Sequence, residues 1–181
     1  MFCSNFRAYM MTSNGILPLD TWLPAADLPL VISGPCSAES REQVMSTARM
    51  LAKIPQVKVF RAGIWKPRTQ PSKFEGVGTK GLSWLQEVKE ETRLLTTVEV
   101  ATPLHIEQAL QHKVDILWIG ARTVGNPFSM QELAETLKGV DIPVMIKNPL
   151  NPDLKLWLGA IERINQAGIH KIAAVHRGFY S

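Results

Sequence analysis

Six short apolar runs recur along the chain, at Pro29–Ser33, Val57–Phe60, Leu94–Val100, Ile116–Gly120, Pro143–Ile146 and Ile172–Val175. Each is rich in Val, Ile, Leu or Phe and has strand length, and the segments between them carry apolar residues at helical spacing. Such runs fit parallel strands buried on both faces. Their starts lie roughly 20 to 40 residues apart, the spacing of a right-handed strand–helix–strand crossover. The alternation predicts an α/β fold. Six strands with five intervening helices fit most of a (β/α)8 barrel, about six of its eight strands. A complete barrel takes roughly 250 residues, whereas this chain has 181. An open doubly wound sheet would suit the length, but no G-x-G-x-x-G follows the first run.

The expected helices have recognisable faces and ends. Glu39–Lys53 puts Val44, Ala48 and Leu51 on one side, and Thr79–Glu91 does the same with Leu82, Leu85 and Val88. Pro103–Gln111 starts with Thr102 as N-cap and Pro in the first turn. Ser129–Lys138 starts at a Ser with Glu132 three residues on, the pattern of a capping box. Pro152–Ala167 follows Asn151 as cap and stops at Gly168. Residues 1–28 read as an entry segment, with a turn at Asn14-Gly15 and prolines at 18 and 24, and residues 29–181 as the partial barrel.

Composition narrows the function. Lys and Arg total 20 against 16 Asp and Glu, a net charge of +4, and they are scattered rather than blocked. That argues against a nucleic-acid surface. No apolar stretch approaches the roughly 20 residues of a membrane span, and residues 1–19 lack the apolar core of a secretory signal. Cys3 and Cys36 form neither a metal-knuckle spacing nor a disulfide framework, so a reduced, cytoplasmic protein is expected.

The chemistry gathers where the apolar runs end, the place at which parallel α/β folds build sites. There lie Gly34-Pro35-Cys36, Arg61, Lys66-Pro67-Arg68-Thr69, Glu99, Arg122-Thr123, Lys147-Asn148 and His176-Arg177. Several like charges in one mouth repel unless an anion compensates them, so the cations point to a phosphorylated ligand. Arg68 offers a two-pronged guanidinium and Thr69 a hydroxyl, and Lys66 a compact charge or a proton. Cys36 is read either as a metal-ligating thiolate or as a small buried cysteine. Glu99 reads either as a proton-transfer or orienting group or as the partner of a nearby cation. His176 could hold a metal or pack. His105, His112 and His170 read as surface residues, and Trp65, Trp84, Trp118 and Trp157 as packing residues.

Taken in order, Gly34-Pro35-Cys36-Ser37-Ala38-Glu39-Ser40, Phe60-Arg61-Ala62-Gly63, Lys66-Pro67-Arg68-Thr69, Ile119-Gly120-Ala121-Arg122-Thr123, Ile146-Lys147-Asn148 and His176-Arg177-Gly178 resemble the 3-deoxy-D-arabino-heptulosonate 7-phosphate (DAHP) synthases, in particular the short class without a large regulatory extension. The resemblance covers about residues 28–181. It implies a TIM barrel and the first step of the shikimate pathway to chorismate and the aromatic amino acids. There phosphoenolpyruvate condenses with erythrose 4-phosphate and water to give DAHP and phosphate. It also implies that Cys36 is a ligand of a divalent metal (Mn2+, Fe2+, Co2+ or Zn2+). By the same resemblance Arg61, Lys66, Arg122, Lys147 and Arg177 surround phosphoenolpyruvate, and Pro67, Arg68 and Thr69 face erythrose 4-phosphate. Lys66 and Glu99 are the implied catalytic residues. The Lys-Pro-Arg-Thr loop distinguishes this pattern from 3-deoxy-D-manno-octulosonate 8-phosphate synthase, the alternative enzyme; a nonenzymatic phosphate-binding fragment is the other alternative. The family's remaining metal ligands, a His, a Glu and an Asp, fall in downstream segments that have no counterpart in these 181 residues. The chain is therefore expected to be part of a synthase, inactive or nearly so alone. The complete protein is expected to be a homo-oligomer, with a fused chorismate mutase domain possible.

Overall fold

The computed structural model describes residues 15–23, 29–66 and 73–178. Six strands form one sheet whose order follows the chain: β1 (Val31–Ser33), β2 (Val57–Arg61), β3 (Leu95–Val100), β4 (Ile116–Ile119), β5 (Val144–Lys147) and β6 (Ile172–Val175). The registers of β1–β2, β2–β3 and β5–β6 are parallel. All six lie where the apolar runs predicted them, in the α/β arrangement of the (β/α)8 class. Two compact units emerge from the contacts, one of Pro24–Val100 with Leu104–Trp118, the other of Met1–Leu23, Ala101–Pro103 and Ile119–Ser181.

In the first unit, Arg61 of β2 pairs with Thr97 of β3. Because side chains alternate along a strand, Arg61, Thr97 and Glu99 share one face, and Phe60 and Val98 lie on the other. Helix α1 (Arg41–Leu51) is shorter than its periodicity suggested because Ser40 caps it, its side chain accepting from the Gln43 amide at 3.2 Å. Helix α2 (Lys80–Thr92) ends where Arg93 turns left-handed at φ 64°. The two helices pack together, burying Val44, Met45 and Ala48 from one and Leu82, Trp84, Leu85 and Val88 from the other. Arg41–Glu87 and Arg49–Glu91 pairs cross their exposed edge. Water screens such pairs, so they set alignment more than stability. Asp115, just before β4, accepts from Lys89 at 2.5 Å and from both the amide and hydroxyl of Thr96, at 2.9 and 3.0 Å. It thereby ties α2 to the start of β3. Helix α3 (Pro103–Gln111) spans the predicted residues.

In the second unit a one-turn helix, α4 (Ala121–Val124), follows β4 directly. Helix α5 (Pro127–Leu137) starts ahead of the expected Ser129. Asn126 is the true cap, its side-chain oxygen accepting from the amides of Phe128 at 3.0 Å and Ser129 at 3.4 Å, with Pro127 fitting the first turn. Ser129 is thus already helical and cannot open a capping box. Asn126→Ala is expected to lower stability by about 1 kcal/mol, read as a shifted urea midpoint with unchanged slope. Helix α6 (Leu154–Gln166) likewise starts at a different cap from the expected Asn151, with Asp153 accepting from the Leu156 amide at 2.9 Å. Trp157 is buried and donates to the Ile146 carbonyl at 3.2 Å, which pins α6 across β5. No described helix is long and apolar enough to cross a membrane.

Candidate functional site

The ends of β1 and β2 come so close that glycine is required twice. Gly34 has φ +147°, and a Cβ there would stand 2.0 Å from the Arg61 carbonyl oxygen. A Cβ on Gly63 would stand 2.0 Å from the Cys36 carbonyl oxygen and 2.7 Å from Lys66 Nζ. The loop after β1 is stitched to the loop after β2 by Ala38 N–H to the Gly63 carbonyl (3.0 Å) and Gly63 N–H to the Pro35 carbonyl (3.3 Å). This close approach brings three of the expected site residues together.

Arg61, the last residue of β2, donates through Nε to the Gly34 carbonyl at 3.3 Å, and its guanidinium carbon lies 5.5 Å from the centre of the Trp118 ring. The indole face attracts the cation while leaving its remaining N–H groups for another acceptor. Lys66 Nζ donates to the Cys36 carbonyl and lies 3.7 Å from Cys36 Sγ. Its charge is the main cause holding the exposed Cys36 thiol below the ordinary cysteine range; partial burial opposes this and Arg61 assists it. The thiolate population is accordingly larger near neutral pH. Alkylation of Cys36 by iodoacetamide, followed by mass spectrometry that separates it from Cys3, should reach half its maximal rate at lower pH than in an unstructured peptide. Lys66→Met should move that midpoint back up, since the largest downward influence is then gone.

The backbone of Lys66 donates to the Glu75 carbonyl at 2.8 Å, and Gly78 donates to the Ile64 carbonyl at 3.0 Å, clipping the base of the loop between them. Trp65 stacks on His105 of α3 with centroids 4.0 Å apart and planes 8° from parallel. His105 is therefore not the simple surface residue expected: it is half-buried, and burial lowers its pKa. Pro67, Arg68 and Thr69 lie outside the described residues, as does Cys3. Glu99 is half-buried on the face shared with Arg61, and the Thr97 hydroxyl on that face is fully buried with no hydrogen-bond partner among the described residues. A hydroxyl inside an apolar run carried no sequence signal of that position.

In the second unit, Lys147 closes β5 half-buried, Arg177 lies two residues beyond Val175 at the end of β6, and Arg122 sits exposed in α4 rather than in a loop. His176 is exposed. Between Lys147 and the β6 exit stands Asn148, fully buried, whose amide binds the main chain on both sides of it. Among the described residues no group of three or more His, Cys, Asp or Glu side chains could hold a metal ion. Cys36 supplies one thiolate donor where a divalent metal takes four or more ligands, so these residues do not by themselves fit a metal.

Comparison with known proteins agrees with this architecture. Residues 21–181 match the DAHP synthetase I family. A phospho-2-dehydro-3-deoxyheptonate aldolase of Thermotoga maritima is 32% identical over 178 residues, covering 95% of this chain and 51% of the relative. The crystal structure of the Thermotoga maritima DAHP synthase superposes with a TM-score of 0.72 at 30% identity, covering 84% of this chain and 42% of that one. A truncated form of the Thermotoga maritima synthase gives 0.68 at 29% identity, covering 84% and 52%. The chain thus spans about half the length of the curated relative it matches. With its strand order, its strand-end cations and the matched span in accord, the chain belongs to the DAHP synthetase I family.

Proposed function

We propose that this chain carries the phosphoenolpyruvate-binding part of a DAHP synthase, a transferase that joins phosphoenolpyruvate to erythrose 4-phosphate. The observation that carries the reading is the cluster in which Gly63 lets Lys66 reach Cys36 while Trp118 and Gly34 hold Arg61 beside them. In the reaction, C3 of phosphoenolpyruvate attacks the aldehyde carbon of erythrose 4-phosphate. Water adds at the electron-poor C2, and the C2–O bond to phosphate then breaks. Arg61, Arg122, Lys147 and Arg177 neutralise the carboxylate and phosphate and fix the enol face. Arg68 and Thr69, with Pro67 stiffening the loop, receive the erythrose phosphate. Lys66 gives a proton to the aldehyde oxygen as it becomes an alkoxide, and Glu99 orients the cations or the water. The divalent metal common to this kind of synthase would meet a single thiolate donor, Cys36, among the described residues. A reducing cytoplasm, which keeps Cys36 a thiol, suits this assignment.

Isothermal titration of the chain with phosphoenolpyruvate tests the proposal. Saturable binding, weakened by salt and by Lys66→Met, is expected. Absence of binding, or binding no tighter than that of inorganic phosphate, would overturn it.

A further inference from the structure

The geometry points to Asn148 as a positioning residue: its buried amide sets the course of the chain leaving β6, and so the direction in which Arg177 meets an anion. This rests on the phosphoenolpyruvate-binding role proposed for Arg177.

Asn148 is 0% exposed, so it acts on a ligand only through its neighbours. Its main-chain N–H donates to the Val175 carbonyl at 3.1 Å, extending the β5–β6 ladder one residue past Lys147. Its side-chain oxygen accepts from the Arg177 amide at 2.6 Å, and its side-chain nitrogen donates to the Gly178 carbonyl at 3.0 Å and to the Pro149 carbonyl at 2.9 Å. Val175, Arg177 and Gly178 are therefore gripped by one residue, at the point where regular strand pairing ends. The task needs an acceptor facing an N–H and two donors facing carbonyls. Asn meets it, Gln is one carbon too long, and Asp offers oxygen where both carbonyls require N–H. An Asp there would set oxygen against two carbonyl oxygens in a buried place, so it keeps the shape and inverts the hydrogen bonding.

Lys147 and Val175 are register partners, and Arg177 lies two residues past the last paired position of β6. Asn148 thus lies directly behind one proposed phosphate-binding cation in sequence while holding the backbone of a second. One buried amide couples the placement of both.

The test is a double-mutant cycle on the full 181-residue chain, with phosphoenolpyruvate as titrant and amide hydrogen exchange as a ligand-free readout. Asn148→Asp keeps an oxygen for the Arg177 amide but sets oxygen against the Gly178 and Pro149 carbonyls. The repulsion should push the chain after Val175 away, raising exchange at the Arg177 amide while the amides of β5 and β6 stay protected, and should weaken binding by about tenfold. Arg177→Ala should weaken it at least as much. The combined variant should bind no worse than Arg177→Ala alone, because Asn148 acts through that side chain. A merely structural role would add its loss on top. Should Asn148→Asp strip protection from β5 and β6 as well, Asn148→Ser, which keeps a small donor and acceptor, is read by the same criteria. If the unsubstituted chain binds and the Asn148 variants bind equally well, or if the losses add, the inference fails while the functional reading stands. No binding by the unsubstituted chain overturns that reading and this role with it.

Discussion

Gly63→Ala is expected to destabilise the protein by on the order of 3 kcal/mol, the upper end of the usual cost of overpacking, and to abolish phosphoenolpyruvate binding. The added methyl would lie 2.0 Å from the Cys36 carbonyl oxygen and 2.7 Å from Lys66 Nζ. The lysine can swing away; the carbonyl belongs to a backbone stitched to Gly63 itself by two hydrogen bonds and cannot. The strand ends must therefore part, and Lys66 loses the acceptor that holds it. Gly159 is the control. It lies within α6 with nothing within 4 Å of a built Cβ, so Gly159→Ala should be neutral or stabilise by about 0.5–1 kcal/mol through helix propensity. Urea denaturation of both variants checks the contrast, and equal midpoints for the two would refute the account of Gly63.

Arg61→Ala should cost about a hundredfold in phosphoenolpyruvate affinity. A guanidinium can make two charge-assisted hydrogen bonds to one anion, each worth about 1.5 kcal/mol or more, and about 3 kcal/mol is two powers of ten in a dissociation constant. Arg61→Lys should recover little of this. It retains the charge but not the planar fork that lies over the Trp118 ring and can offer two N–H groups to one anion. Calorimetry on the two variants decides the matter; full recovery by lysine would mean that Arg61 acts as a bare point charge.

Much of this was legible in sequence for a definite reason. Strand positions follow from Val/Ile/Leu runs whose burial on both faces leaves little choice of placement, and β6 fell on the expected residues. Helix starts were less legible because several polar residues compete to cap. Asn126 won over Ser129, and Asp153 over Asn151, since each could reach the first free amides. The helical turn of α4 is too short for any periodicity. At the site, Cys36, Arg61 and Lys66 were found because chain order alone puts them at strand ends. Trp118 against Arg61, His105 against Trp65, and the Asn148 grip on Arg177 depend on distant segments meeting, which no local pattern encodes.

The pairing of Arg61 with Thr97, with Glu99 two residues on, carries a consequence for how such a protein can change. Arg61 and Glu99, which the proposed function sets against a ligand, alternate along β2 and β3 with Phe60 and Val98, which belong to the opposite surface of the sheet. Selection can thus explore new ligand preferences at every second position while the intervening ones go on maintaining the folded chain. A laboratory library confined to the half-buried positions 61 and 99 should yield many more folded members than one of equal size drawn at the buried positions 60 and 98.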